Sequence, residues 1–177
     1  MVDLNGHSKR VSKLCVLMGN EMGLSKSRIK DLKICGLFHD IGKYCISNDI
    51  LNKRGKLNEI EFEIMKLHAK FSGDIVKKKG MSNTIVEAVK YHHERFDGKG
   101  YNKGLKGNKI PFYSRIIAVA DSYDAMTNDR PYSYAISHVE AMEEIKRNSG
   151  TQFDPLIVKY FEIAMSNESN YEYLKCL

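Results

Sequence analysis

The stretch Gly36-Leu37-Phe38-His39-Asp40-Ile41-Gly42-Lys43 places a histidine, an aspartate and a lysine within an otherwise apolar segment. Burying these polar groups would be costly unless a metal ion or matched partners compensated their charges. We therefore predict that His39 and Asp40 are the hub of a metal cluster. The other helices of the chain are then expected to bring further ligands to this pair.

The composition is that of an ordinary globular protein. The 177 residues are 42% apolar and 28% charged, which suits one domain with a single core. No apolar run approaches the roughly 20 residues that a membrane helix needs. The N-terminus is too polar for a signal peptide. These features predict a cytoplasmic protein without a membrane segment.

The net charge and the cysteines place only weak limits on the class of partner and on the kind of site that the chain could have. The net charge of +6 suits an anionic partner such as a nucleotide, a nucleic acid or an acidic protein. Solvated lysine-rich faces would give the same total. The four cysteines show neither a C-x-x-C pair nor a regular spacing, and we expect reduced structural side chains. They are Cys15, Cys35, Cys45 and Cys176.

Apolar residues recur at helical spacing along almost the whole chain, and strand patterns are nearly absent. We predict an all-α bundle of about seven or eight helices, forming a single domain over residues 1–177. Its motifs lie within 3–165, and 166–177 form a peripheral tail. The expected helices are 5–22, 25–43, 58–80 with a break near His68, 83–94, a long helix from Pro111, 137–148 and 155–166. The glycine-rich segment 96–109 is predicted to be the one substantial loop.

Five of the six histidines lie on the apolar sides of four helical segments: His7, His39, His68, His92 and His93. A single buried histidine is more often a hydrogen-bonded core residue than a ligand. Five of them, with Asp40 and Asp121, would need many matched partners, which a metal cluster supplies at once. Nitrogen and oxygen ligands without thiolate indicate Fe, Mn, Co, Ni or Zn. Paired ions about 3.5–4 Å apart suit phosphoryl displacement, so we expect an anionic substrate such as a phosphate ester.

Six groups of residues stand in a fixed order along the chain. They are His7-Ser8-Lys9-Arg10-Val11, His39-Asp40-Ile41-Gly42-Lys43, His68, residues 92–101 (HHERFDGKGY), residues 115–127 (RIIAVADSYDAMT) and Arg130-Pro131-Tyr132. In this order the chain resembles the HD-GYP domain phosphodiesterases of the HD metal-dependent phosphohydrolase superfamily. A lone His-Asp pair would be a weak signal, whereas the ordered set covers about residues 3–165. The resemblance implies a single all-α HD domain.

The resemblance also implies an activity, which is hydrolysis of cyclic di-GMP, a bacterial second messenger, to linear pGpG and on to GMP. It implies two transition-metal ions, with iron or manganese expected first and nickel, cobalt or zinc as alternatives. The implied ligands, with Asp40 bridging the ions, are His7, His39, Asp40, His68, His92, His93 and Asp121. The expected partners are a cyclic dinucleotide and, in addition, a diguanylate cyclase or a sensor domain. No nucleic-acid polymer is expected.

The resemblance assigns catalytic and substrate roles as well. Asp40 and Lys43 would be catalytic, with the Lys43 ammonium stabilising charge that grows on the phosphate. Lys43 would also bind the substrate, and Tyr101, Asp124 and Arg130 would line the substrate cleft. An ordinary loop tyrosine and a plain surface arginine are the alternatives for Tyr101 and Arg130.

Three positions depart from the pattern of the family. The signature Gly-Tyr-Pro is Gly100-Tyr101-Asn102 here, and we expect a looser loop because a proline would have fixed its backbone. Members with a third metal ion place a glutamate four residues before the first histidine. Asp3 stands there, which leaves a third ion doubtful. The basic residue that commonly follows Arg-Pro-Tyr is Ser133, which removes one phosphate contact. Since no core ligand is lost, we expect catalysis to survive, weakened or with an altered substrate preference.

Two other functions stay open at this point. One is hydrolysis of another cyclic dinucleotide or nucleotide phosphate, such as cyclic GMP-AMP. The other is a binding or adaptor module for cyclic di-GMP whose turnover is impaired. The intact ligand set argues against the second alternative.

Overall fold

Helices make up nearly all the regular structure of the residues that the computed structural model describes, which are 4–53, 55–129, 134–167 and 170. Eight α-helices follow one another: α1 (Leu4–Glu21), α2 (Lys26–Phe38), α3 (Asn48–Leu51), α4 (Glu59–Lys78), α5 (Asn83–Lys90), α6 (Phe112–Thr127), α7 (His138–Arg147) and α8 (Pro155–Met165). Two short 3₁₀ helices are Ile41–Cys45 and Gly107–Lys109. None of these helices is long and apolar enough to cross a membrane. The predicted all-α class and the number of helices are confirmed.

Polar caps fix where several helices begin, at the residues that the sequence predicted. The Ser25 hydroxyl accepts a backbone N–H at the start of α2. Asn58 and Glu61 form a reciprocal capping box at the start of α4, and Ser137 and Glu140 do the same for α7. Each cap satisfies amide groups that the first helical turn leaves unpaired. These local bonds explain why the beginnings of the helices were predictable.

Two helices end earlier than the pattern predicted. α2 ends at Phe38 and α5 ends at Lys90, so each histidine motif falls in the turn beyond its helix. Within a helix, adjacent side chains would leave the axis about 100° apart. A turn can instead direct both of them toward one centre. The predicted break in the helix near His68 is wrong, because α4 runs unbroken through that residue. The His68 ring donates to the Met65 carbonyl oxygen of the same helix.

The helices pack around one apolar core to which α1, α2, α5, α6, α7 and α8 all contribute. Its centre contains large, fully buried side chains such as Leu14, Met18, Ile117 and Phe161. Phe38 and Ile41 pack against the same core. They flank the His39-Asp40 pair and hold it at the margin of the core, where polar side chains from several helices can reach it.

Two glycines of the opening motif set how closely the helices approach one another. A side chain at Gly36 would lie 2.5 Å from the Cα of Ser12 in α1. A side chain at Gly42 would overlap the backbone carbonyl oxygen of His68 in α4. Because both positions lack a side chain, α1 can pack directly against α2, and α4 can pack directly against the turn that follows α2.

Candidate metal centre

The structure brings all seven predicted ligand side chains to one site. α1 carries His7, and the turn after α2 carries His39 and Asp40. α4, the turn after α5, and α6 supply the other four. Their ligand atoms fall into two groups, each with all its atoms within 4.8 Å of one another. The first group is Asp40, His68, His92 and His93, and the second group is His7, His39 and Asp121.

Three of the histidines hold their rings in the same way. His39, His68 and His92 each donate Nδ1–H to the backbone carbonyl oxygen three residues earlier, at 2.8, 2.6 and 2.6 Å. A neutral imidazole that donates from Nδ1 keeps a free lone pair on Nε2. These bonds therefore fix the tautomer that turns Nε2 toward the centre of the site, which is the arrangement that metal-binding histidines use.

Asp40 lies between the two groups, and its two carboxylate oxygens face different histidines. Its Oδ1 is 3.2 Å from Nε2 of His68 and 3.9 Å from Nε2 of His92, both in the first group. Its Oδ2 is 3.4 Å from Nε2 of His39 and 3.5 Å from Nε2 of His7, both in the second group. One carboxylate thus presents an oxygen to each group, as a bridging ligand would.

Of the five buried side-chain polar atoms that lack a hydrogen-bond partner among the described residues, four lie at this site. They are Nε2 of His7, His39 and His92, and Oδ1 of Asp40. Buried polar atoms in folded proteins are almost always paired, because an unpaired one costs free energy. Four of them facing one another fit the presence of metal ions, which would satisfy all four. The donor set of imidazole nitrogens and carboxylate oxygens suits first-row transition metals.

The carboxylates of the site are held in their charged form. Burial opposes ionisation of Asp40 and Asp121, but nearby cationic side chains outweigh it and lower both pKa values well below the usual range. The main partner is Lys43 for Asp40 and His7 for Asp121. Burial also opposes charge on His7, but the close carboxylates of Asp121, Asp124 and Asp40 raise its pKa to about 11. Metal binding at His7 would therefore displace a proton.

The adjacent histidines after α5 are held in their neutral form. Burial, followed by the proximity of other histidines, lowers the pKa of His92 well below its usual value. Burial lowers the pKa of His93 to about 3. Neutral imidazoles and ionised carboxylates are the protonation states that a metal ligand needs. Asp40, His92 and His93 of the first group have these protonation states at neutral pH.

Comparison with known proteins assigns the family. The sequence model of the HD domain matches residues 2–157. The chain belongs to the HD domain family. The resemblance drawn from the motifs is therefore confirmed, since the matched range contains every predicted ligand.

Relatives of this HD domain include named phosphodiesterases. It is 39% identical over 162 residues to a cyclic di-GMP phosphodiesterase of Thermotoga maritima, covering 90% of this chain and 44% of that protein. It is 36% identical over 165 residues to the 3'3'-cGAMP-specific phosphodiesterase 1 of Vibrio cholerae, covering 93% of this chain and 38% of that protein. The chain thus spans less than half the length of either relative.

A solved structure has the same fold. The crystal structure of a cyclic GMP-AMP-specific phosphodiesterase of Vibrio cholerae superposes with a TM-score of 0.76 at 22% sequence identity. The match covers 96% of this chain and 46% of that chain. The helical arrangement of this HD domain is therefore shared with that enzyme.

Two of the predicted substrate-contacting side chains lie beside the metal centre of the HD domain. The Lys43 ammonium donates to Oδ2 of Asp40. The Tyr101 ring stacks on the His93 ring, with centroids 4.8 Å apart. Burial, with the nearby Asp121 and Asp40 carboxylates, raises the pKa of the Tyr101 hydroxyl, so it stays protonated as a hydrogen-bond donor. Three further predicted features lie outside the described residues: Arg130, the departures at Asp3 and Ser133, and most of the tail over 166–177.

Asp124 is placed differently from the cleft position that the sequence predicted. Its side chain is only 3% exposed, and both oxygens are engaged by protein groups. Oδ2 accepts from Nδ1 of His7 at 2.7 Å, and Arg10 donates to both oxygens, at 2.6 and 3.1 Å. Asn128 donates to Oδ1 at 3.2 Å. Asp124 therefore holds the His7 ring through Nδ1, as a carboxylate that orients a metal-binding histidine does. The sequence patterns missed Arg10 and Asn128 as its partners.

The loop that carries Tyr101 is held firmly in the HD domain, contrary to the expected loosening at Asn102. Asn102 has a φ of 96°, which a proline cannot adopt because its ring fixes φ near −65°. Its amide donates to the carbonyl oxygen of Lys90 at the end of α5. The buried Glu94 carboxylate accepts three backbone N–H groups of residues 103–105. The departure from Gly-Tyr-Pro thus gives a differently shaped loop that is still anchored.

One further cation lies near this loop. The Nζ of Lys66 lies 6.0 Å from the Tyr101 ring centroid and 5.2 Å from the ring of Phe62. It also pairs with Glu63 one turn earlier on α4. The sequence patterns did not single out Lys66. Its only sequence signal is its position two residues before His68.

Proposed function

We propose that this chain is a metal-dependent phosphodiesterase that hydrolyses cyclic di-GMP to linear pGpG and, in a second step, to GMP. The observation that carries the proposal is the division of the Asp40 carboxylate between two ligand groups. Such an arrangement suits a pair of ions across one phosphate. The relatives named cyclic di-GMP phosphodiesterases supply the substrate class.

The chain's own residues have distinct roles in this proposal. His7, His39, Asp40, His68, His92, His93 and Asp121 would hold two ions. When bound, the ions supply an activated water nucleophile and neutralise phosphate charge. Lys43 stabilises the charge that grows on the phosphate as water adds to phosphorus. The bond from phosphorus to the 3′-oxygen breaks, and the product carries a 5′-phosphate and a free 3′-hydroxyl. The protonated hydroxyl of Tyr101 donates a hydrogen bond to the substrate.

The test is the loss of both turnover and metal in two variants. Protein is purified without oxygen, loaded with iron or manganese, and assayed for metal by elemental analysis and for pGpG by chromatography. We expect His39→Ala and Asp40→Ala to abolish hydrolysis and to lower metal content. Asp74→Asn removes an exposed carboxylate from α4 and is the matched control. Full turnover in either site variant would refute the assignment.

A second candidate substrate is 3'3'-cGAMP, which relatives at 36% and 37% identity are named for. The altered loop shape at Asn102 favours testing it, because that loop carries Tyr101. The metal-loaded protein is offered cyclic di-GMP, 3'3'-cGAMP and cyclic di-AMP in parallel. The ratio of kcat/KM values identifies the preferred substrate. Tight binding of cyclic di-GMP without product release would instead indicate an adaptor.

The remaining features of the proposal are the identity of the metal ions, the cellular compartment and the partner of the chain. We propose iron or manganese in the two sites, with nickel, cobalt or zinc as alternatives. We place the protein in the cytoplasm, because Cys15 and Cys35 are free and buried, as expected in a reducing compartment. We also propose that the chain acts as a single unit, and that a sensor domain or diguanylate cyclase is its partner.

A further inference from the structure

Helix α4 carries a row of large apolar side chains on its outer face. The helix packs mainly against the 3₁₀ helix Ile41–Cys45 and against α5, which leaves its other side turned to solvent. The residues of its inner face are buried, and they are His68, Ala69, Ser72, Gly73 and Val76. At 100° per residue, a second row falls on the opposite side of the helix. This row, which we call the outer stripe, consists of Ile60, Ile64, Leu67 and Phe71.

The outer stripe is accessible along its whole length. Ile60 is 74% exposed, Leu67 is 42% exposed, Ile64 is 36% exposed, and Phe71 is partly exposed. Single exposed apolar residues are normal on a protein surface, whereas a contiguous row of them indicates a surface that another molecule covers. The spacing and the charges around the stripe indicate which molecule that is.

The spacing of the outer stripe is that of a coiled-coil seam. Its residues follow one another at intervals of four, three and four, which are the alternating intervals between core positions of a heptad repeat. This series reads the same in both directions along the helix. Two antiparallel copies of α4 can therefore match all four positions about one two-fold axis. Ile64 then lies against the partner's Leu67, and Ile60 lies against the partner's Phe71.

The charges beside the outer stripe favour this antiparallel order. Glu63 and Lys70 are exposed, and they flank the stripe on the same side, seven residues apart. In the antiparallel pair Glu63 faces the partner's Lys70, and the two-fold axis repeats this contact at the other end. In a parallel pair Glu63 would face the partner's His68, which is buried within its own domain. Glu63 also pairs with Lys66 on its own helix, but a carboxylate can accept from two cations.

We propose that the outer stripe is a self-association surface, through which two copies of this chain form an antiparallel two-fold dimer. The proposal does not depend on the proposed function, because no residue of the stripe belongs to the predicted ligands or substrate contacts. Each copy keeps its own metal centre, since His68 faces the opposite way from the stripe. Four residues from each copy are far fewer than the roughly 20–30 that a standard interface uses, so the dimer is weak and depends on concentration.

The first test is the mass of the metal-loaded full chain in sedimentation velocity, from roughly 10 µM to 1 mM. The wild type should shift from monomer to dimer across this range. Leu67→Glu should raise the dissociation constant roughly 100-fold or more, because the two-fold axis places two carboxylates in the seam. Ile163→Glu on α8 is the matched control, since Ile163 is also 42% exposed, and it should dimerise as the wild type does. Circular dichroism verifies that both variants are folded.

The second test determines the order of the two helices. Glu63→Lys and Lys70→Glu each place like charges opposite one another at both ends of the seam. Each should raise the dissociation constant roughly tenfold, because two contacts change from attraction to repulsion. A mixture of the two variants should associate as the wild type does, since every lysine then faces a glutamate of the other chain. Recovery on mixing cannot arise from contacts within one chain.

Three results would overturn the proposal. One is a wild-type chain that stays monomeric up to the highest concentration, which would leave the outer stripe to a different protein or domain. Another is a dimer that persists in Leu67→Glu. The third is a mixture of the two charge variants that associates no better than either variant alone. Turnover of cyclic dinucleotides does not enter any of these measurements, so a failure of the proposed function would be distinguished from a failure of the dimer.

Discussion

Four of the five histidines of the metal centre use one ring nitrogen to hold their orientation and turn the other toward the site. His39, His68 and His92 use a carbonyl of their own preceding turn. His7 uses a side chain instead, the Asp124 carboxylate at 2.7 Å. A carboxylate partner also raises the basicity of a ligand imidazole. His7 is therefore the ligand whose binding strength depends on a replaceable residue, and the dependence can be measured.

We predict that Asp124→Asn weakens the second ligand group. The amide keeps the shape of the side chain but loses the charge that faces His7 and Arg10. Loss of such a supporting carboxylate commonly weakens metal binding roughly 10- to 100-fold. Titration of the variant with Mn²⁺ should show one weakened site, with the other site close to its wild-type affinity.

The same experiment separates the two roles considered for Asp124. A positioning role predicts weaker metal binding and a lower kcat, with rescue at high Mn²⁺ concentration. The substrate contact predicted from sequence would instead raise KM at unchanged metal affinity. Asp74→Asn, an exposed change of equal charge on α4, should match the wild type in both measurements.

The metal centre also depends on how closely α4 packs against the turn after α2. The Gly42 N–H donates to the Ser72 hydroxyl of α4 at 2.8 Å, and a side chain at Gly42 would overlap the His68 carbonyl oxygen. That oxygen belongs to backbone, which cannot move aside as the end of a flexible side chain can. Helix α4 would have to shift, and it carries His68.

We therefore predict that Gly42→Ala lowers both stability and metal content. Overpacking of this kind costs roughly 1–3 kcal/mol, which corresponds to a fall in Tm of roughly 2–12 °C for a chain of this size. Gly19→Ala is the matched control, because the nearest atoms there are ends of the flexible side chains of Ile29 and Leu32. Thermal unfolding and elemental analysis give the two readouts. A Gly42→Ala protein with full metal content would contradict the packing argument.

The parts of this architecture that sequence could predict are those encoded locally. The caps at Ser25, Asn58 and Ser137 involve residues three positions apart, and the histidines stand on helical repeats. The support of His7 by Asp124 joins residues 117 positions apart, so no short pattern reveals it. The φ of 96° at Asn102 was likewise hidden, because it depends on where the loop meets the end of α5.

Across the whole molecule, the ligands extend from His7 in α1 to Asp121 in α6. Metal ions would therefore connect helices that are distant in sequence. Four of the buried ligand atoms have no hydrogen-bond partner within the described residues: Nε2 of His7, His39 and His92, and Oδ1 of Asp40. A ligand that binds only the folded state stabilises it by mass action. Because only folding brings the binding atoms together, bound metal ions should stabilise the folded state as a cross-link would. This effect is separate from their role in the reaction.

We predict that saturating Mn²⁺ or Fe²⁺ raises the thermal stability of the metal-free protein. At a concentration about 100 times the Kd, binding contributes about 2.7 kcal/mol per site, or roughly 5–10 °C in Tm for a chain of this size. Asp40→Ala should lose most of this increment, because its carboxylate faces both ligand groups, and Asp74→Asn should keep it. The measurement is differential scanning calorimetry after chelation and after reloading. An equal Tm in both states would show that the seven side chains do not hold ions tightly, and the candidate metal centre would then have to be abandoned.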